Sequence, residues 1–146
     1  MVKIIKGDLL QTDCEIIVHQ VNCQGVMGSG VAKQIKAKYP KVFEIYKQVC
    51  DTTNPLGKLL RVPTNDDKTQ WIYNLFTQDK YGRDKCHTDY EALQNCFNEI
   101  SEFNKPNRRI AMPYKIGCGL GGGDWDRVYK MIKDTFTDYE VILYKL

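Results

Sequence analysis

Two glycine-rich stretches are the residues most able to do chemistry in this chain. One runs Gly25-Val26-Met27-Gly28-Ser29-Gly30, between the apolar run Ile16-Ile17-Val18 and a helical face opened by Val31, Ala32 and Ile35. The other runs from Gly117 through Cys118, Gly119, Leu120 and Gly121 to Gly123, between Ile110-Ala111-Met112 and a helical stripe of Trp125, Val128, Ile132 and Phe136. Glycine has no Cβ, so its backbone can come very close to another group. A helix that starts behind such a turn offers free N–H groups and the positive end of its dipole. Together these suit an anion, most often a phosphate. The first stretch is spaced G-x-x-G-x-G, which is not the dinucleotide fingerprint, and no G-K-[ST] follows it, so it is not a Walker loop.

Four titratable residues at strand or helix ends or in loops are candidates for chemistry. Asp8 stands at the end of the first apolar strand, His19 at the end of the second, Lys80 in a polar loop after the central strand, and Asp124 just before Trp125. Each has a plain structural reading as well. Asp8 reads as a turn or cap residue, Asp124 as a helix N-cap, His19 as a satisfied strand-end histidine, and Lys80 as a solvated loop charge. Histidine does, however, exchange a proton near neutral pH.

The elements that must position these residues follow from hydrophobic periodicity. Strands are expected at 2–5, 16–20, 59–62, 71–76, 110–112 and 140–144. The run Trp71-Ile72-Tyr73-Asn74-Leu75-Phe76 is almost continuously apolar, which suits a central strand covered on both faces. Helices are expected at 31–39, stopped by Pro40, and from Val42 to about Cys50. A third begins behind a capping box of Thr88 and Glu91 and uses Tyr90, Leu93, Phe97 and Ile100 as its core stripe. Asp124 caps the fourth. Strands alternating with helices indicate a three-layer α/β sandwich. Ligands in such sheets sit outside the carboxyl ends of the strands, where two facing glycine turns could grip both sides of a diphosphate.

A chain of 146 residues is expected to form one domain, 1–146, with a sizeable core. A net charge of +3 permits a phosphate-bearing ligand without demanding nucleic acid. The basic groups Arg108-Arg109 and Lys36, Lys38 and Lys41 read as solvated faces. Six cysteines (Cys14, Cys23, Cys50, Cys86, Cys96 and Cys118) make no C-x-x-C pair, and His19 and His87 are isolated, so no metal site is expected. Free thiols, with no signal peptide and no long apolar span, point to a reducing cytoplasm and no membrane.

Three blocks then carry a family resemblance: Lys6-Gly7-Asp8-Leu9-Leu10, the stretch from Val21 to Ala32, and Pro113 through Ile116 to Trp125. In that order they resemble a macrodomain, over essentially the whole chain. The similarity is to the branch holding the terminal ADP-ribose protein glycohydrolase, the DNA ADP-ribose hydrolase antitoxins and the yeast-type ADP-ribose 1″-phosphate phosphatase. The resemblance implies a mixed sheet between helices, with ADP-ribose over the strand ends and no cofactor. Asp8 would accept from the adenine amino group, with Leu9 beside it and Tyr144 bordering the ring. Gly28, Ser29, Gly30 and Val31 would line the first phosphate loop, and Gly117, Cys118, Gly119, Leu120 and Gly121 the second. Asn22 would lie near the distal ribose, with Gln20 and Thr77 as further candidates. It implies a hydrolase acting at C1″ of ADP-ribose on a protein carboxylate, a DNA base or a phosphate, or else a non-catalytic reader. A monomer is expected. His19 falls where the phosphatase resemblance places a catalytic histidine, and Asp124 resembles the aspartate before tryptophan in the antitoxins. The relatives' lysine directly after the strand-ending threonine is absent. Here Gln78 follows Thr77, and Lys80 is the nearest lysine.

Overall fold

The fold is that of a computed structural model, which describes residues 1–28, 30–79, 87–103, 107–118 and 122–146. One sheet runs through it, built from β1 (Val2–Lys6), β2 (Ile16–Asn22), β3 (Leu59–Pro63), β4 (Trp71–Gln78), β5 (Ile110–Pro113) and β6 (Val141–Lys145). The strand order is β1-β6-β5-β2-β4-β3. Neighbours pair parallel except β3, which runs antiparallel to β4. The helices are α1 (Gly30–Lys38), α2 (Pro40–Thr52), α3 (Tyr90–Phe103) and α4 (Trp125–Thr135), with a one-turn 3-10 helix at Leu9–Gln11. Among the described residues, no helix is long and apolar enough to cross a membrane.

Side chains alternate across a strand, and the central strands use both faces. Ile16, Val18, Tyr73, Leu75 and Met112 join the cluster that takes Leu93, Phe97 and Ile100 from α3 and Val128 and Ile132 from α4. Ile17, Val21, Ile72, Phe76 and Ala111 join the other, with Ile35 from α1 and Val42 and Tyr46 from α2. The expected three-layer mixed-sheet architecture is therefore present. Burial on both faces explains why β4 reads as an unbroken apolar run. Cys23 and Cys96 are free thiols in these clusters, and burial pushes both up to about 12, so they pack as small neutral groups.

Helix ends obey local chemistry, with one correction. Pro40 does more than stop α1, because it is also the first residue of α2, where its missing N–H costs nothing. Asp124 caps α4 by accepting from the Asp126 N–H at 3.0 Å. The α3 cap is Asp89, which accepts from the Ala92 N–H at 3.0 Å, and not Thr88. Thr88 and Asp89 are both cap-type residues. Periodicity alone does not separate positions one residue apart.

Strand lengths also differ from the sequence reading. β2 runs on to Asn22 and β4 to Gln78. His19 consequently lies inside the sheet, opposite Asn74 on β4, and is 1% exposed. Its Nε2 is 2.6 Å from Asn74 Oδ1. Asn74 Nδ2 donates to the Leu60 carbonyl at 3.0 Å, which turns the amide oxygen toward the ring. Nε2 must then carry the proton, and buried Nδ1 has no hydrogen-bond partner. Burial lowers the His19 pKa to about 4, outweighing the Asn74 contact that favours the charged ring.

This pair makes stability pH-dependent. An unfolded His19 takes up a proton as pH falls through 6.5, and the folded one only near 4. The contribution of the neutral ring is therefore complete above about pH 6.5 and is lost as pH falls through that window. Urea unfolding should show a loss of about 2 kcal/mol between about pH 7 and about pH 5. His19→Gln keeps a donor for Asn74 and should flatten that slope. An unchanged slope in the variant would remove His19 as its source.

Candidate functional site

Parallel pairing sends the carboxyl ends of β1, β6, β5, β2 and β4 to one rim. The turn after β2 and the turn after β5 therefore emerge side by side. They lean on different layers. Met27 and Val31 pack with α1 and α2, whereas Ile116 and Cys118 pack with α3 and α4.

The first turn is held by Asn22 and Tyr46. Asn22 Nδ2 donates to the Val26 carbonyl at 2.8 Å, and its Oδ1 accepts from the Gln24 N–H at 2.9 Å. The Tyr46 hydroxyl lies 2.8 Å from both Asn22 oxygens and accepts from the Val26 N–H at 3.1 Å. The Asp79 carbonyl at the end of β4 accepts from the Cys23 N–H and from Gln24 Nε2. The glycines divide by role. Gly25, at φ 79°, backs onto Lys47 and Cys50 of α2, so its close approach is to protein. Gly28 and Gly30 are exposed, and Gly30, at φ 60°, opens α1 with nothing within 4 Å of a Cβ there. Val31 is half-buried behind it.

The second turn is closed by Thr88. Its hydroxyl donates to the Gly117 carbonyl at 2.7 Å and accepts from Gln20 Nε2 at 3.1 Å. Thr88 also bridges Gln78, and the Asp89 N–H donates to the Thr77 carbonyl at 2.7 Å. Gly117 sits at φ 77°. The Gly123 N–H donates to the Gly117 carbonyl at 2.8 Å, and a Cβ on Gly123 would lie 2.7 Å from that oxygen. The turn is therefore drawn shut by backbone contact that only glycine permits. Cys118 is half-buried, with its Sγ 3.4 Å from the Ile116 carbonyl.

At the β1–β6 end of the rim, Asp8 is exposed and caps the 3-10 helix by accepting from the Leu10 N–H at 2.9 Å. Leu9 is buried in the core beside it. Tyr144 covers Gly7, and its hydroxyl donates to Thr12 Oγ1 at 2.7 Å.

The structure thus brings Asp8, Tyr144, Asn22, Gly28, Gly30, Val31, Gly117 and Cys118 to one rim. Gln20 stands behind that rim as a support for Thr88. Thr77 is fully buried, its carbonyl accepting from the Asp89 N–H and its hydroxyl 3.4 Å from the Leu75 carbonyl. Asp124 is exposed, and its side chain serves the α4 cap. His19 does not reach the rim, because β2 continues three residues beyond it. Ser29, Lys80, Gly119, Leu120 and Gly121 lie outside the described residues. Sequence reasoning missed Thr88 and Tyr46 as organisers of the turns. A tyrosine on the buried face of α2 did carry a signal, since a buried hydroxyl needs a partner.

Comparison with known proteins bears on the family and the fold. Residues 18–132 match the model of the Macro domain family. A DNA ADP-ribosyl glycohydrolase of Mycobacterium tuberculosis is 34% identical over 145 residues, spanning 94% of this chain and 40% of that protein. The chain therefore corresponds to about two fifths of that relative's length. An ADP-ribose 1″-phosphate phosphatase of Saccharomyces cerevisiae is 24% identical over 172 residues, covering 97% of each chain. Among solved structures, the macrodomain of Mycobacterium tuberculosis DarG matches with a TM-score of 0.83 at 29% identity, over 100% of this chain and 98% of that one. By sequence match over most of its length and by fold, this chain belongs to the Macro domain family.

Proposed function

We propose that residues 1–146 form one macrodomain that binds ADP-ribose along the strand-end rim and hydrolyses the bond at C1″ of an ADP-ribose adduct. One observation carries this reading: two glycine turns, supported from opposite layers, meet at the carboxyl ends of the adjacent strands β2 and β5. A diphosphate bound between them would face backbone N–H groups and the start of α1. Asp8 and Tyr144 stand at one end of the rim, where a carboxylate can accept from an adenine amino group beside an aromatic wall. Asn22 and the β4 end stand at the other, toward the distal ribose. Ser29, Gly119, Leu120 and Gly121 are assigned to phosphate binding in this reading from the sequence alone. The protein acts as a monomer in the cytoplasm, without metal or membrane.

The greater identity to the DNA ADP-ribosyl glycohydrolase than to the phosphatase supports a DNA-linked adduct as the first substrate. Cleavage at C1″ needs a proton for the leaving group and an attacking water or amine. Lys80 and Asp124 are the side chains we assign to be tested for those tasks. His19 is a scaffold residue in this reading, because a neutral ring sealed between strands cannot exchange protons with a ligand on the rim. A second reading, a reader without turnover, draws on the same sealed histidine and on Gln78 in the place of the relatives' lysine.

Three measurements test this. In calorimetry, ADP-ribose should bind one-to-one without divalent metal. Gly28→Glu should abolish binding by placing a side chain and a charge in the first turn. Asp8→Asn retains a cap acceptor for Leu10 but loses the carboxylate, and should weaken binding by about 1–3 kcal/mol. Wild-type affinity in both variants would place the ligand elsewhere.

Thr88→Val should leave Gly117 and Gln20 without their hydroxyl partner and lower affinity by about 1–2 kcal/mol, while Thr88→Ser should retain it. Equal affinity in the two variants would count against Thr88 as the closure of the second turn.

Finally, the protein should release ADP-ribose from an ADP-ribosylated DNA oligonucleotide in preference to an ADP-ribosyl-glutamate peptide or ADP-ribose 1″-phosphate. ADP-ribose binding with no product from any of the three would leave the reader.

A further inference from the structure

A second concave surface lies at the opposite rim, where β2 and β4 begin. It encloses about 510 Å³, within the usual size range of small-ligand sites. Its walls include the rings of Trp71, Tyr73 and Phe103, and its charge comes from Arg61, Lys68 and Arg108. One carboxylate, Glu15, also lines it. That group is neutralised locally, because Oε1 accepts from the Arg109 backbone N–H at 2.8 Å and Oε2 from its guanidinium at 3.0 Å. The cavity therefore presents positive charge beside flat apolar faces.

Two further features make it a shaped site. The Arg61 guanidinium carbon lies 4.0 Å from the Phe103 ring centroid and 5.5 Å from that of Tyr73, so its plane is held by aromatic contact. Its Nε and Nη2 are enclosed without a hydrogen-bond partner, although Nη2 is ion-paired with the half-exposed Glu99 carboxylate at 3.7 Å, beyond hydrogen-bond reach. Enclosed charged donors without an acceptor are costly and rare. The Trp71 ring is also fixed, its N–H donating to the Lys68 carbonyl at 3.0 Å. Phe103 nevertheless ends α3 with 69% of its surface exposed.

We propose that this cavity is a nucleotide site, in which a base stacks on the rings of Phe103 and Trp71 and its phosphate meets Arg61 and Arg108. Guanidinium forks match phosphate oxygens. Aromatic faces accept any base, which is how single strands are held without sequence preference. The nucleotide could be free or a unit of a single strand. The site is separate from the ADP-ribose rim and does not rest on that reading. The eight residues of β4 separate the two rims by about 25 Å.

The test is fluorescence anisotropy of a short fluorescein-labelled thymidine oligonucleotide at low salt, with thymidine monophosphate as competitor. Wild type should bind the oligonucleotide, or the monophosphate by calorimetry. Phe103→Ala/Arg108→Glu should weaken binding at least about ten-fold, and Arg108→Glu alone should weaken it less and lower its salt dependence. Thermal unfolding checks that both variants are folded, and both should keep the wild-type affinity for ADP-ribose. Displacement of the oligonucleotide by the monophosphate identifies a free-nucleotide site. Oligonucleotide binding that the monophosphate does not displace identifies a strand site. Wild-type affinity in the double variant, loss of oligonucleotide binding in Gly28→Glu, or no binding of either probe to wild type would overturn the proposal.

Discussion

Parallel pairing of β2 with both β4 and β5 is the constraint on which the rest of the molecule depends. Parallel strands deliver their carboxyl ends to the same rim, so the segments that follow must converge there whatever their sequence. The parallel returns from β4 to β5 and from β5 to β6 pass through α3 and α4 on one face, and α1 and α2, in the connection from β2 to the antiparallel β3, cover the other. The rim therefore receives one turn backed by each layer.

Convergence alone does not shape a turn, and the shaping is done from behind. Asn22 spends its amide on the turn that follows it, Gln20 spends its own on Thr88, and Thr88 passes the contact to the Gly117 carbonyl. Gln20 and Asn22, two residues apart, would share a face in a regular strand, and the register shift between Val21 and Asn22 accompanies their bracing of different turns on different sides of the sheet. Glycine then does what side chains cannot. The approach of Gly123 to the Gly117 oxygen leaves no space for a Cβ. The described surface of the two turns is held in place by side chains that reach it from behind.

The large elements were legible in the sequence because they follow from periodicity. The apolar run from Trp71 to Phe76 and the stripe of Leu93, Phe97 and Ile100 are burial patterns, and burial is local information. The glycine turns were legible because few residues tolerate their backbone. What escaped notice depended on a neighbour distant in sequence. Thr88 reads as a cap until Gly117, 29 residues away, is beside it. His19 reads as a strand-end group until β2 is seen to continue and Asn74 to face it. Gly25 reads as a ligand-facing glycine until α2 is found packed against it. In each case one short-range reading was chemically sound, and a tertiary contact selected the other.

Tyr46 has a consequence for how the molecule comes apart. Its ring stacks on Phe76 with centroids 5.6 Å apart, and its hydroxyl holds Asn22 and Val26. The first turn and the core on that side of the sheet therefore belong to one cooperative unit. Fraying of the turn is not a cheap local fluctuation, because it must break the buried end of a core side chain. The Val26 amide, though it belongs to an exposed residue, then exchanges its hydrogen on the slow timescale of core opening. Heating dismantles this side of the rim together with the fold, so the turn and the core are lost at one temperature.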